Sequence, residues 1–91
     1  MQVCRQVFFE GRVQGVGFRY SAKQIAMGFD ITGWVRNLPD GRVEMQVMGA
    51  VDEVEAYLEA IDDSQLAGFI RTMAVQPAPL LTGVRGFEIR G

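Results

Sequence analysis

The 91 residues are 48% apolar, 22% charged and 10% aromatic, which predicts one domain over residues 1–91 with a modest core and excludes a second. Nine Lys and Arg against eleven Asp and Glu give a net charge of −2, which argues against a nucleic-acid binder, and no apolar run approaches the roughly 18–20 residues of a membrane helix. One cysteine and no histidine exclude an internal disulfide, zinc fingers and any catalytic apparatus built on imidazole.

Residues 2–10 alternate, with Val3, Val7 and Phe9 on one side and Cys4, Phe8 and Glu10 on the other, predicting a strand covered in part on both faces. Cys4 sits mid-strand with no base beside it and is read as a packed residue rather than a nucleophile. Alternation so close to Met1, in place of an apolar leader, predicts an unprocessed, soluble, cytoplasmic protein. Three glycines within Gly11–Gly17 end the strand in a loop. Phe18, Ala22, Ile25, Ala26 and Phe29 share a helical face, predicting a helix over about 18–28 with Gly28 helping to end it.

Residues 31–37 and 42–48 flank Leu38-Pro39-Asp40-Gly41 and predict a hairpin closed by Gly49. Val51, Val54, Leu58 and Ile61 form a second helical stripe over about 51–62, with Asp52, Glu53 and Glu55 suiting the positive end of the dipole. Six acids and no base fall between Asp52 and Asp63, leaving nine bases against five acids elsewhere; that asymmetry suits a small anion. Residues 69–76 are strand-like, Pro77-Ala78-Pro79 breaks the pattern, and residues 87–90 alternate again. The order β-α-β-β-α-β plus a short terminal strand predicts an α+β, split βαβ arrangement, an antiparallel sheet of four to five strands backed by two helices.

Two segments carry chemistry. The glycine-rich turn Gly11-Arg12-Val13-Gln14-Gly15-Val16-Gly17-Phe18-Arg19 leads into a helix, whose first amides lack intrahelical acceptors and favour an anion. Arg19 lies in the first turn, where a guanidinium would complete a cradle for phosphate oxygens. The same glycines would equally serve a plain crossover turn with Arg19 on the surface. No Gly-Lys-Ser/Thr follows, and Tyr20 stands where a dinucleotide fingerprint would have its third glycine. In the hairpin, the Asn37 side chain has the donor and acceptor to orient a water beside an oxyanion, or to bond its own turn. Trp34, mid-strand beside Gly33, is read as a core residue.

Together the two motifs resemble those of the acylphosphatase family. Its first loop reads Gly-x-Val-Gln-Gly-Val-x-Phe-Arg and its hairpin Gly-Trp-Val-x-Asn-x-x-Asp-Gly-x-Val-Glu; this chain carries GRVQGVGFR and GWVRNLPDGRVE. The resemblance is strong over about residues 3–50. It departs after Ala60, where Asp62-Asp63-Ser64-Gln65-Leu66-Ala67-Gly68 replaces the family's usual Gly-Pro. It implies a ferredoxin-like sandwich, phosphate binding by Arg19 and by the amides of Gln14, Gly15, Val16, Gly17 and Phe18, and orientation of the attacking water by Asn37. It also implies acyl phosphate as substrate and inorganic phosphate as product, with no cofactor and no metal. An acyl phosphate leaves as a carboxylate of pKa near roughly 4 and needs no general acid, so a site without imidazole suffices. A non-catalytic phosphate-binding module is the first rival. An RNA-recognition sheet is the second, but the acidic, aliphatic Val43-Glu44-Met45-Gln46-Val47 lacks the basic-aromatic signature. No nucleic-acid or membrane partner is expected, and the small size predicts a monomer.

Overall fold

The computed structural model describes all of residues 1–91. Its elements in chain order are β1 (Gln2–Gly11), α1 (Phe18–Ala26), β2 (Ile31–Asn37), β3 (Val43–Ala50), α2 (Val51–Asp62), a 3-10 helix (Gln65–Phe69), β4 (Ile70–Ala78) and β5 (Phe87–Arg90). The strands form one sheet in the order β4-β1-β3-β2-β5. Four strands pair antiparallel, with Val7 opposite both Met45 and Val75 and with Val35 opposite Met45. The fifth departs from the expected antiparallel sheet: β5 runs parallel to β2, with Ile89 opposite Val35.

Alternation sends Val7, Phe9, Val35, Val43, Met45 and Val47 toward the helices, where they meet Phe18, Ala22, Val54, Tyr57, Leu58 and Ile61 in one core. Tyr57 joins the layers: its hydroxyl donates to the Ala22 carbonyl at 2.8 Å, and its ring stands edge-on to Phe29 and Phe87. This satisfies the polar tip of a buried aromatic. On the other face, Gln76 donates to Gln6 at 2.6 Å, Gln6 to Glu44 at 2.7 Å, and Arg36 to Glu44 at 2.8 Å, a chain that satisfies the buried Glu44. Trp34 belongs to this face. It is only 7% exposed, yet it lies outside the helix-side core, under the Arg36 and Arg90 guanidiniums at 5.3 and 5.2 Å.

Several boundaries differ from expectation, each for a local reason. Helix α1 stops at Ala26 because Met27 and Gly28 donate to Gln24 and Ile25 in i→i+3 bonds that tighten its last turn. Gly28 is not left-handed and supplies no glycine cap. Gly49 does not close β3, which runs through Ala50 directly into α2. A Cβ on Gly49 would meet the Asp30 carbonyl oxygen at 2.9 Å, so glycine there serves a close approach of backbone. Strand β4 continues through Pro77 to Ala78, because it is an edge strand where a missing N–H is tolerated. In the segment after Ala60, Ser64 Oγ accepts from Leu66 N at 3.1 Å and donates to the Ile61 carbonyl at 2.6 Å, capping the 3-10 helix.

Candidate active site

Strand β1 ends in an irregularity at Glu10 and Gly11, after which Arg12 N donates to the Phe69 carbonyl at 2.9 Å. Val13 is buried and pins the middle of the loop. Gly15 and Gly17 hold φ of 76° and 75°, a left-handed conformation that glycine adopts without strain. Gly17 is the N-cap of α1, and no side chain caps that end. The first intrahelical bond is from Ser21 N to the Gly17 carbonyl, at 3.0 Å. The amides of Phe18, Arg19 and Tyr20 therefore have no intrahelical acceptor and form the positive end of the helix dipole. Phe18 fixes the helix start against Phe9, with ring centroids 4.9 Å apart.

These elements enclose a cavity of about 190 Å³ lined by Val13, Gly15, Gly17, Phe18, Arg19, Tyr20, Asn37 and Ile89. The fold thus brings Arg19 and Asn37, from different motifs, to one space. Arg19 is half-buried and forms no ion pair, whereas Arg36, Arg42 and Arg90 each hold a carboxylate. Asn37 ends β2, and its Oδ1 is buried without a hydrogen-bond partner in the protein. A buried acceptor left in this way is costly unless a ligand or water donates to it.

Of the residues singled out from the sequence, Gly15, Gly17, Phe18, Arg19 and Asn37 line the cavity; Gln14 and Val16 do not. Val16 packs against the core. The exposed Gln14 side chain instead bridges two segments, its Nε2 donating to the Leu38 carbonyl at 2.8 Å and to the Arg42 carbonyl at 2.9 Å. One side chain thereby ties the glycine-rich loop to the hairpin that carries Asn37. Sequence reasoning missed this clamp and also missed Val13, Tyr20 and Ile89 as lining residues. Tyr20 adjoins Arg19 and was open to inference, but nothing local points Ile89 toward a loop near the other end of the chain.

The hairpin has its own staple. Asp40 accepts from Arg42 N at 3.1 Å and from Arg42 Nε at 2.8 Å. The hydrogen bond from the Arg42 backbone N–H holds the Asp40 carboxyl below its ordinary pKa; desolvation opposes it, and the side-chain hydrogen bond and charge of Arg42 add to the lowering. Burial pushes the Cys4 thiol up, only partly offset by the charge of Arg5, and Cys4 lies outside the cavity.

A family model described as Acylphosphatase matches residues 5–89. An acylphosphatase of Trichormus variabilis is 48% identical over 84 residues, covering 92% of this chain and 82% of that protein. The crystal structure of acylphosphatase from Bacillus subtilis superposes with a TM-score of 0.87 at 32% identity, covering 100% of both chains. Full-length HypF, in a phosphate- and nucleotide-bound form, matches with a TM-score of 0.85 at 26% identity; the match covers 100% of this chain but 12% of that one.

Proposed function

The chain belongs to the acylphosphatase family, and from that premise we propose metal-independent hydrolysis of acyl phosphates carried by Arg19, Asn37 and the amides of the glycine-rich loop. An acylphosphatase hydrolyses the carboxyl–phosphate bond. Here the phosphoryl oxygens lie on amides of the Gln14–Phe18 loop, of which Gly15, Gly17 and Phe18 line the cavity, and on the Arg19 guanidinium, which neutralises their charge. Asn37 Oδ1 accepts from the attacking water and aims its oxygen at phosphorus. Water oxygen bonds to phosphorus as the bond from phosphorus to the acyl oxygen breaks, and the carboxylate leaves with that electron pair. Both water hydrogens end on the inorganic phosphate, so no protein base is consumed. Fixed dipoles and one guanidinium suit the loose transition state of phosphoryl transfer.

The observation that carries this reading is the convergence of an unpaired arginine and an orphaned Asn37 oxygen on one cavity at a free helix N-terminus. No carboxylate lines that cavity, which supports a site working without a metal. The same reading takes residues 1–91 as one domain acting as a cytoplasmic monomer.

The test is hydrolysis of benzoyl phosphate, followed by its ultraviolet absorbance with EDTA present. Arg19→Ala is expected to lower kcat/KM by roughly 10²–10³-fold through both KM and kcat, and Asn37→Ala to lower kcat by about 10²-fold with KM little changed. Full turnover in either variant would remove that residue from the mechanism. A folded wild-type protein that binds phosphate but hydrolyses nothing would favour the binding module.

A further inference from the structure

The cavity has a polar part, formed by Gly15, Gly17, Arg19 and Asn37, and an apolar part that includes two exposed side chains, Tyr20 at 64% and Ile89 at 41% exposure. Asn37 and Ile89 come from the sheet and Tyr20 from α1, so they approach the cavity from its two layers. Helical side chains lean toward the helix N-terminus, which carries the Tyr20 ring toward the glycine-rich loop. Tyr20 also borders a second, larger space of about 460 Å³, completed by Ser21, Gln24, Ile25, Ser64 and Gln65.

We propose that Tyr20 and the groove beyond it form the acyl subsite, which selects neutral acyl phosphates with an apolar or aromatic body over small or anionic ones. The proposal rests on the reading that Arg19 holds the phosphoryl group and Asn37 the water. In-line displacement puts the leaving group on the side of phosphorus away from the water, hence away from the sheet-borne Asn37 and toward the helix-borne Tyr20. At about 190 Å³, the cavity is smaller than the roughly 300–1,000 Å³ of ordinary ligand sites, so a bulky acyl group must extend past Tyr20. None of the groove residues is charged, and a carboxylate entering it would lose hydration without gaining a cation. The arginines Arg12 and Arg71, free of ion pairs, line a separate cleft with Gly11, Gly68, Phe69 and Ile70.

The experiment compares kcat/KM for benzoyl, acetyl and succinyl phosphate in the wild type, Tyr20→Ala and Gln24→Lys. The inhibition constant of inorganic phosphate reports whether the cradle is intact in each variant. The wild type is expected to favour benzoyl over acetyl and acetyl over succinyl. Tyr20→Ala is expected to lower the benzoyl-to-acetyl ratio roughly tenfold, and comparing ratios between proteins cancels the intrinsic reactivity of the substrates. Gln24→Lys is expected to raise succinyl relative to acetyl several-fold, about what one added cation supplies. An unchanged benzoyl-to-acetyl ratio in Tyr20→Ala would overturn the subsite while leaving the catalytic reading intact. A wild-type preference for succinyl phosphate, lost in Arg12→Ser and Arg71→Ser, would move the acyl group to the other cleft. Failure of the wild type to hydrolyse any of the three would defeat both readings.

Discussion

Gln14 illustrates how one residue serves two levels of structure. Its backbone belongs to the glycine-rich loop, while its side chain bonds two carbonyls of the hairpin, coupling that loop to the strand end that bears Asn37. At about 0.5–1.5 kcal/mol per hydrogen bond, and toward the low end because the pair is exposed, Gln14→Ala is expected to destabilise the protein by about 1 kcal/mol. Its larger effect is expected on kcat, because the Asn37 oxygen would no longer be held against the cradle. Steady-state kinetics beside a urea melt would separate these effects; an unchanged kcat would show that the hairpin keeps its place unaided. The motif resemblance made Gln14 visible as part of the loop but hid the clamp, since a side-chain bond to distant backbone has no periodicity.

At the scale of elements, α1 is set by what flanks it. Gly17 provides a left-handed N-cap without a capping side chain, Phe18 anchors the first turn on Phe9, and Tyr57 from α2 accepts the packing of Phe29 and Phe87 while donating to Ala22. Burial raises the Tyr57 pKa above its ordinary 10.0. For a folded pKa raised in this way, the contribution to stability is complete below about pH 10 and is lost as pH rises beyond it, because the unfolded chain releases the proton first. Denaturant midpoints between pH 8 and 11 are therefore expected to fall above pH 10. Tyr57→Phe is expected to reduce that fall and to cost roughly 1 kcal/mol at pH 7 for the missing hydrogen bond. Equal alkaline losses in both proteins would assign the titration elsewhere. The 18–28 expectation for α1 overran by two residues because the apolar stripe continues to Phe29, while the backbone has already turned through i→i+3 bonds.

For the whole molecule, a single core joins both helices to one sheet, and the cavity is assembled from the first loop, α1, β2 and the last strand. A ligand held there stabilises the native state by mass action, by about 2.7 kcal/mol at a hundred times its Kd. Inorganic phosphate at that excess is expected to raise Tm by roughly 10–20 °C for a domain of this size, with the shift abolished in Arg19→Ala. An equal shift in that variant would place the anion elsewhere. The sequence by itself determined the element order, the two-helix-on-sheet architecture, the glycine-rich loop and the identities of Arg19 and Asn37 as candidates. These are legible because hydrophobic period, glycine spacing and long motifs act over neighbouring residues. Only the tertiary structure decided that β5 lies parallel beside β2, that Trp34 is buried beneath two guanidiniums on the far face, that Gln14 reaches the hairpin, and that Tyr20 and Ile89 border one cavity. Each of these joins residues far apart in the chain, and their meeting depends on strand order and layer packing, which local pattern does not encode.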